Sequence, residues 1–81
     1  MSKWDKLRER ILAGRSDANI SFDDASEFLQ RLGYKMTVRG SHHVFKQPGW
    51  PALNLQPMGH HVKPYQLKQI RLALLAKGYE H

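Results

Sequence analysis

The hydrophobic period of this chain changes at Gly33, and the change dictates a mixed α+β fold. Before it, Phe22, Ala25, Phe28, Leu29 and Leu32 recur at the three- and four-residue spacing of one helix face. After it, Tyr34, Met36 and Val38 alternate with Lys35, Thr37 and Arg39, which predicts a strand with one buried face. Ser21 precedes the helix as a capping residue, with Asp24 in the place of the usual Glu of a capping box. Asp23, Asp24 and Glu27 fall in the first turns, where the helix dipole favours negative charge.

The other elements follow from punctuation. Gly40-Ser41 reads as a turn or bulge, His42 to Lys46 as a second strand, and Pro48-Gly49-Trp50-Pro51 as its break. Ala52 to Gln56 alternates Leu53 and Leu55 with Asn54 and Gln56, a third strand ended by Pro57-Met58-Gly59. Pro64 suits the first turn of a helix that carries Leu67, Ile70 and Leu74 on one face and stops at Gly78. At the other end of the chain, Trp4, Leu7 and Ile11 mark a helix over 4–13 that Gly14 terminates, with 15–20 as a connector. The order is helix, helix, three strands, helix. A three-stranded antiparallel meander with the two flanking helices on one face is its natural packing, with 4–13 as an extra prop. The opposite sheet face is left open to water.

A chain of 81 residues without cysteine is expected to form one domain, 1–81, with no disulfide framework and no thiolate site. The N-terminus lacks the apolar core of a signal peptide, and the longest apolar run, Leu72 to Ala76, is far short of a membrane span. A cytoplasmic protein with no membrane partner is the expectation. Charge is unevenly placed. Residues 1–30 balance to −1, whereas residues 31–81 hold eight Lys/Arg against the single acid Glu80. Such a segment attracts polyanions by its field and by counterion release, and an open, basic sheet face is a usual platform for RNA. The plainer reading is a solvated face rich in Lys and Arg.

The histidines are His42, His43, His60, His61 and His81. Neighbouring strand residues point to opposite faces, so only one of His42 and His43 looks outward. If Phe45 enters the core, His43 follows it and His42 faces out, unless a bulge at Gly40-Ser41 shifts the register. An outward His42 near Arg39 and Lys46, with no acid close in sequence, has surroundings that favour a neutral base. Such a base can take the 2′-hydroxyl proton of RNA for in-line attack on the adjacent phosphate, with Lys and Arg stabilising the transition state. Taken alone, a surface histidine is ordinary. The His-His pairs have no Cys and no nearby carboxylate to suit a metal, so neither metal nor cofactor is expected. His60 and His61 read as a polar loop, or as a second acid or phosphate-contacting hydrogen-bond donors. Lys63, Lys68 and Arg71 read as phosphate contacts or as the solvated face of the last helix. Trp50 reads as a base-stacking residue or as packing. No phosphate loop, Ser-His-Asp set or zinc spacing is present.

Ser21-Phe22-Asp23-Asp24, Leu32-Gly33-Tyr34 and Arg39-Gly40-Ser41-His42-His43-Val44-Phe45 resemble the HicA toxins of type II toxin–antitoxin modules. So do Asn54-Leu55-Gln56-Pro57 and Lys63-Pro64-Tyr65-Gln66-Leu67 with Gln69-Ile70-Arg71, in the same order from about residue 20 to 78. The resemblance implies a double-stranded-RNA-binding-domain-like α-β-β-β-α core with the 4–13 helix outside it. It also implies metal-independent cleavage of mRNA by His42, inhibited translation, and a HicB-type antitoxin that covers the active histidine. Arg39, Ser41, Lys46, Lys63, Lys68 and Arg71 would then contact the RNA, and the free toxin would be a monomer. Members often carry a Gly-Gly step before the Lys-Pro helix start, where this chain has Gly59-His60-His61-Val62. Two other readings compete: a non-catalytic RNA-binding module, and a protein-interaction domain whose basic face docks an acidic partner.

Overall fold

The computed structural model describes residues 2–14 and 19–80, so most of the expected connector at 15–20 lies outside the described residues, as does His81. Among the described residues, three helices, α1 (Lys3–Ala13), α2 (Phe22–Arg31) and α3 (Pro64–Ala76), accompany five strands. These are β1 (Lys35–Arg39), β2 (His42–Lys46), β3 (Leu53–Leu55), β4 (Pro57–Met58) and β5 (His61–Val62). The domain is α+β, built on a three-stranded antiparallel sheet in the order β1-β2-β3.

The helix ends form where the sequence supplies caps. Ser21 Oγ accepts from the Asp24 backbone N–H at 3.1 Å, one half of a capping box. Ser2 does the same for α1 through Asp5 N–H, and Gly14 closes that helix in the left-handed conformation. Pro64 occupies the first turn of α3, where its missing N–H costs nothing.

The two-residue link Gly40-Ser41 carries a positive φ of 62° at Gly40 and none at Ser41, the pattern of a type II′ hairpin turn. Its strands twist to match that turn, so Arg39 pairs with His42 and the register runs unbroken to Lys35 opposite Lys46. No bulge intervenes.

Phe45, Leu53 and Leu55 point from the sheet into one core with Ala25, Phe28 and Leu29 of α2 and Leu67, Ile70 and Leu74 of α3. Leu7, Ile11 and Leu12 of α1 belong to the same cluster, and Ile11 is fully buried. The first helix is therefore an integral wall, more than the prop the sequence suggested.

Two other expectations need correction. All five residues of β1 are exposed, with Met36 37% and Val38 52% accessible. Met36 still meets α2, its Sδ accepting from Ser26 Oγ at 3.5 Å, and only Tyr34, just before the strand, is buried. Pro57-Met58-Gly59 does not simply end β3. It begins a small hairpin in which Met58 pairs with His61. The Phe22 N–H donates to His60 O at 2.9 Å and the Val62 N–H to Ile20 O at 3.1 Å. These bonds tie the hairpin to the entry of α2 and thereby fix the start of α3.

Candidate nucleic-acid interface and active site

The continuous register decides which side chains share the open face. Its rows are Lys35 with Lys46, Thr37 with Val44 and then Asn54, and Arg39 with His42. His43 pairs with Leu55, so one further step of the same register sets Gln56 beside His42. None of these outward residues is acidic. Lys35 and Lys46 are directly opposed like charges, an arrangement that destabilises an isolated sheet. The two described ion pairs, Lys3 with Asp24 and Arg8 with Asp5, both lie on α1 and α2 and leave this face uncompensated.

His42 is exposed, and His43 is turned inward, half-buried with its ring edge-on to Phe22 at 4.6 Å between centroids. His43 Nδ1 is buried with no hydrogen-bond partner among the described residues. The pleat thus places one imidazole in solvent and one against the α2 helix.

A cleft of about 170 Å³ opens beside His42, lined by Asn54, Gln56, Tyr65, Gln66 and Gln69. Its floor is a carboxamide network. The buried Gln66 accepts the Gln56 backbone N–H at 3.0 Å, joining the first turn of α3 to the end of β3. The Gln56 side-chain amide donates to Ser41 Oγ at 3.1 Å, while its oxygen accepts from Lys63 Nζ at 3.2 Å. One glutamine thereby holds the turn that precedes His42 and the cation that precedes α3. Sequence reasoning gave Gln56, Gln66, Asn54, Tyr65 and Gln69 no role, although polar residues flanking Leu55 and Leu67 were the available signal.

The basic residues proposed from sequence do not form one cluster. Arg39 lies across the strand pair from His42, and Lys63 reaches the same end through Gln56. Lys46 is four residues along β2, about 13 Å from His42 at the rise of an extended strand, and is not its neighbour. Lys68 is exposed on the solvent side of α3. Arg71 takes a different part: its Nε donates to Ile11 O at 2.6 Å, tying α3 to the last turn of α1. Helical rotation sets Arg71 well round from Tyr65 and Gln69, so it does not face the cleft. Arg71→Ala is expected to lower stability by about 1.5–3 kcal/mol; an unchanged denaturation midpoint would refute this bracing role.

His60 and His61 are exposed on the β4–β5 hairpin and do not line the cleft. Trp50 packs: its ring meets Tyr34 at 5.7 Å and Tyr79 at 6.5 Å, with Lys77 Nζ over its face. The Tyr34 hydroxyl donates to Pro51 O at 2.8 Å, and burial raises its pKa above the usual phenol range, so it persists as a neutral donor. Among the described residues no three His, Asp or Glu side chains gather as a metal site requires, and no helix is long and apolar enough to cross a membrane.

Comparison with protein-family models, with curated proteins and with solved structures finds no match to the chain. What the fold and the site define is therefore a class: a small α+β domain with a basic, acid-free sheet face and a solvent-facing histidine at one end of it.

Proposed function

We propose that the chain is an endoribonuclease of the HicA toxin type, cutting mRNA with His42 as its proton-transfer group. The observation that carries the reading is the setting of His42. It stands exposed beside a cleft, between Arg39 and the Lys63–Gln56 pair, on a face with no carboxylate.

Such a setting suits phosphate chemistry. A 2′-hydroxyl proton passes to the imidazole as the 2′-oxygen bonds to phosphorus and the bond to the 5′-oxygen breaks. The departing oxygen takes up a proton, leaving a 2′,3′-cyclic phosphate and a 5′-hydroxyl. Arg39 and Lys63 stabilise the charge that builds on the phosphorane, and the N-terminus of α3 adds its dipole. Lys35, Lys46 and Lys68 grip flanking phosphates. The order α2-β1-β2-β3-α3 agrees with a double-stranded-RNA-binding-domain-like core, to which α1 and the β4–β5 hairpin are additions. In this reading the toxin is cytoplasmic and monomeric when free, needs no metal or cofactor, and is silenced by a HicB-type antitoxin seated over His42.

Incubation of the purified protein with mixed-sequence RNA in EDTA tests the reading. Cleavage leaving cyclic-phosphate ends is expected. Intact RNA would overturn the nuclease, and intact but bound RNA would identify a non-catalytic RNA-binding module. The lysine row has its own signature. Lys35→Gln and Lys46→Gln are each expected to reduce the slope of log affinity against log salt by about 0.7, the value for one contact to single-stranded nucleic acid. Slopes equal to that of the parent would remove this row from the RNA path.

A further inference from the structure

The cleft beside His42 is not built for phosphate. Its lining side chains are carboxamides, a phenol and an imidazole, with no Lys, Arg, Asp or Glu among them. The cations stand outside it, on the strand opposite His42 and at the foot of α3. A neutral lining of hydrogen-bonding groups with an aromatic ring matches a neutral, planar ligand that carries its own donors and acceptors. A nucleobase is such a group.

The lining divides in two. Gln56 uses both ends of its amide, and Gln66 its side-chain oxygen, in the internal network of the floor. Tyr65, Asn54 and Gln69 are exposed and make no side-chain hydrogen bond to the described protein. Tyr65 is 58% accessible, a large exposure for an aromatic side chain on the first turn of a helix whose other face is core. Its ring gains a partner only if something flat is laid on it.

We propose that Tyr65, Asn54 and Gln69 form the base-binding subsite of the His42 centre, where Tyr65 stacks on one unpaired base and the two carboxamides read its edge. The proposal rests on the ribonuclease reading for the position of the cut and goes beyond it in naming the side chains that hold one unpaired base of the strand. In a duplex each base is stacked on both faces and paired along its edge, so it cannot occupy this cleft. The meander-and-helix core, whose order agrees with that of a duplex-binding domain, would here serve an unpaired strand. The phosphate on one side of the held base then lies between His42 and the flanking cations.

The test uses short unstructured RNA with 2′-O-methyl riboses, which cannot be cut, carrying the fluorescent base 2-aminopurine at each position in turn. The full chain is expected to quench one position saturably. Tyr65→Ala should weaken that binding about 5- to 150-fold, the span of a single base–aromatic stack. Tyr65→Phe should recover the loss by restoring the ring. Asn54→Ala and Gln69→Ala should alter the preference among the four bases at that position, and a duplex competitor should not displace the probe. Equal quenching by the parent and Tyr65→Ala, or no quenched position, would overturn the subsite, as would unchanged preference in both amide variants. Cleavage of unmodified RNA is scored separately. If the parent cuts and Tyr65→Ala cuts and binds equally, the subsite falls while the nuclease stands. Tyr65-dependent quenching without cleavage by the parent leaves the subsite and removes the nuclease.

Discussion

His42→Ala is expected to leave the chain folded and to lower RNA cleavage by about 10²–10⁴-fold, the usual contribution of a positioned proton-transfer group. The fold should tolerate it because the His42 ring is exposed and bonds to no other described side chain. RNA affinity should change little, since Arg39, Lys63 and the lysine row remain. The contrast with its neighbour sharpens the test. His43 packs edge-on against Phe22, so His43→Ala is expected to remove about 0.5–1.5 kcal/mol of stability through the lost ring contact. Two adjacent histidines thus separate chemistry from packing. Equal cleavage by the parent and His42→Ala would end the catalytic assignment.

The largest expected effect on stability lies one residue pair further along the same strand. Phe45 is fully buried at the centre of the core, and Phe45→Ala is expected to cost about 3–5 kcal/mol. A domain of this size holds on the order of 4–12 kcal/mol in all, so the variant would lose roughly a quarter or more of its stability. Thermal unfolding followed by circular dichroism should show a midpoint lower by roughly 15–30 °C. The consequence reaches the site, because Phe45 facing inward is what obliges His42 to face outward. A midpoint within a few degrees of the parent would mean that the strand does not present this face to the core.

Local rules carried much of this structure because they concern residues close in sequence. Ser21 and Pro64 announce helix starts, Gly14 a helix end and Gly40 a reversal, and the parity of Phe45 assigns His42 and His43 to opposite faces. The failures share another cause. Met36 and Val38 alternate as buried strand residues do, yet they stand on the edge strand of the sheet, and that place in the strand order cannot be read from the period. Arg71 belongs to a helix whose sequence cannot say which flank meets α1. The β4–β5 hairpin has two residues in each strand, too few to show a period, and it exists because the segment before α2 supplies its partners.

The site was half legible for the same reason. Gly40-Ser41-His42 is a local signal, and the resemblance built around it points to the same histidine. The Gln56 bridge spans from the β1–β2 turn to the start of α3, a relation that no spacing rule encodes. The cleft is likewise assembled from three elements, with His42 on β2, Asn54 on β3, and Tyr65 and Gln69 on α3.

An RNA in which a single 2′-deoxynucleotide replaces the ribonucleotide at a mapped cut site is incubated with the protein in EDTA. If His42 deprotonates the 2′-hydroxyl, cutting stops at that site alone and continues elsewhere with cyclic-phosphate ends. Cutting at the deoxy position would rule out the 2′-hydroxyl as the nucleophile and leave water in its place, with no such proton for His42 to take.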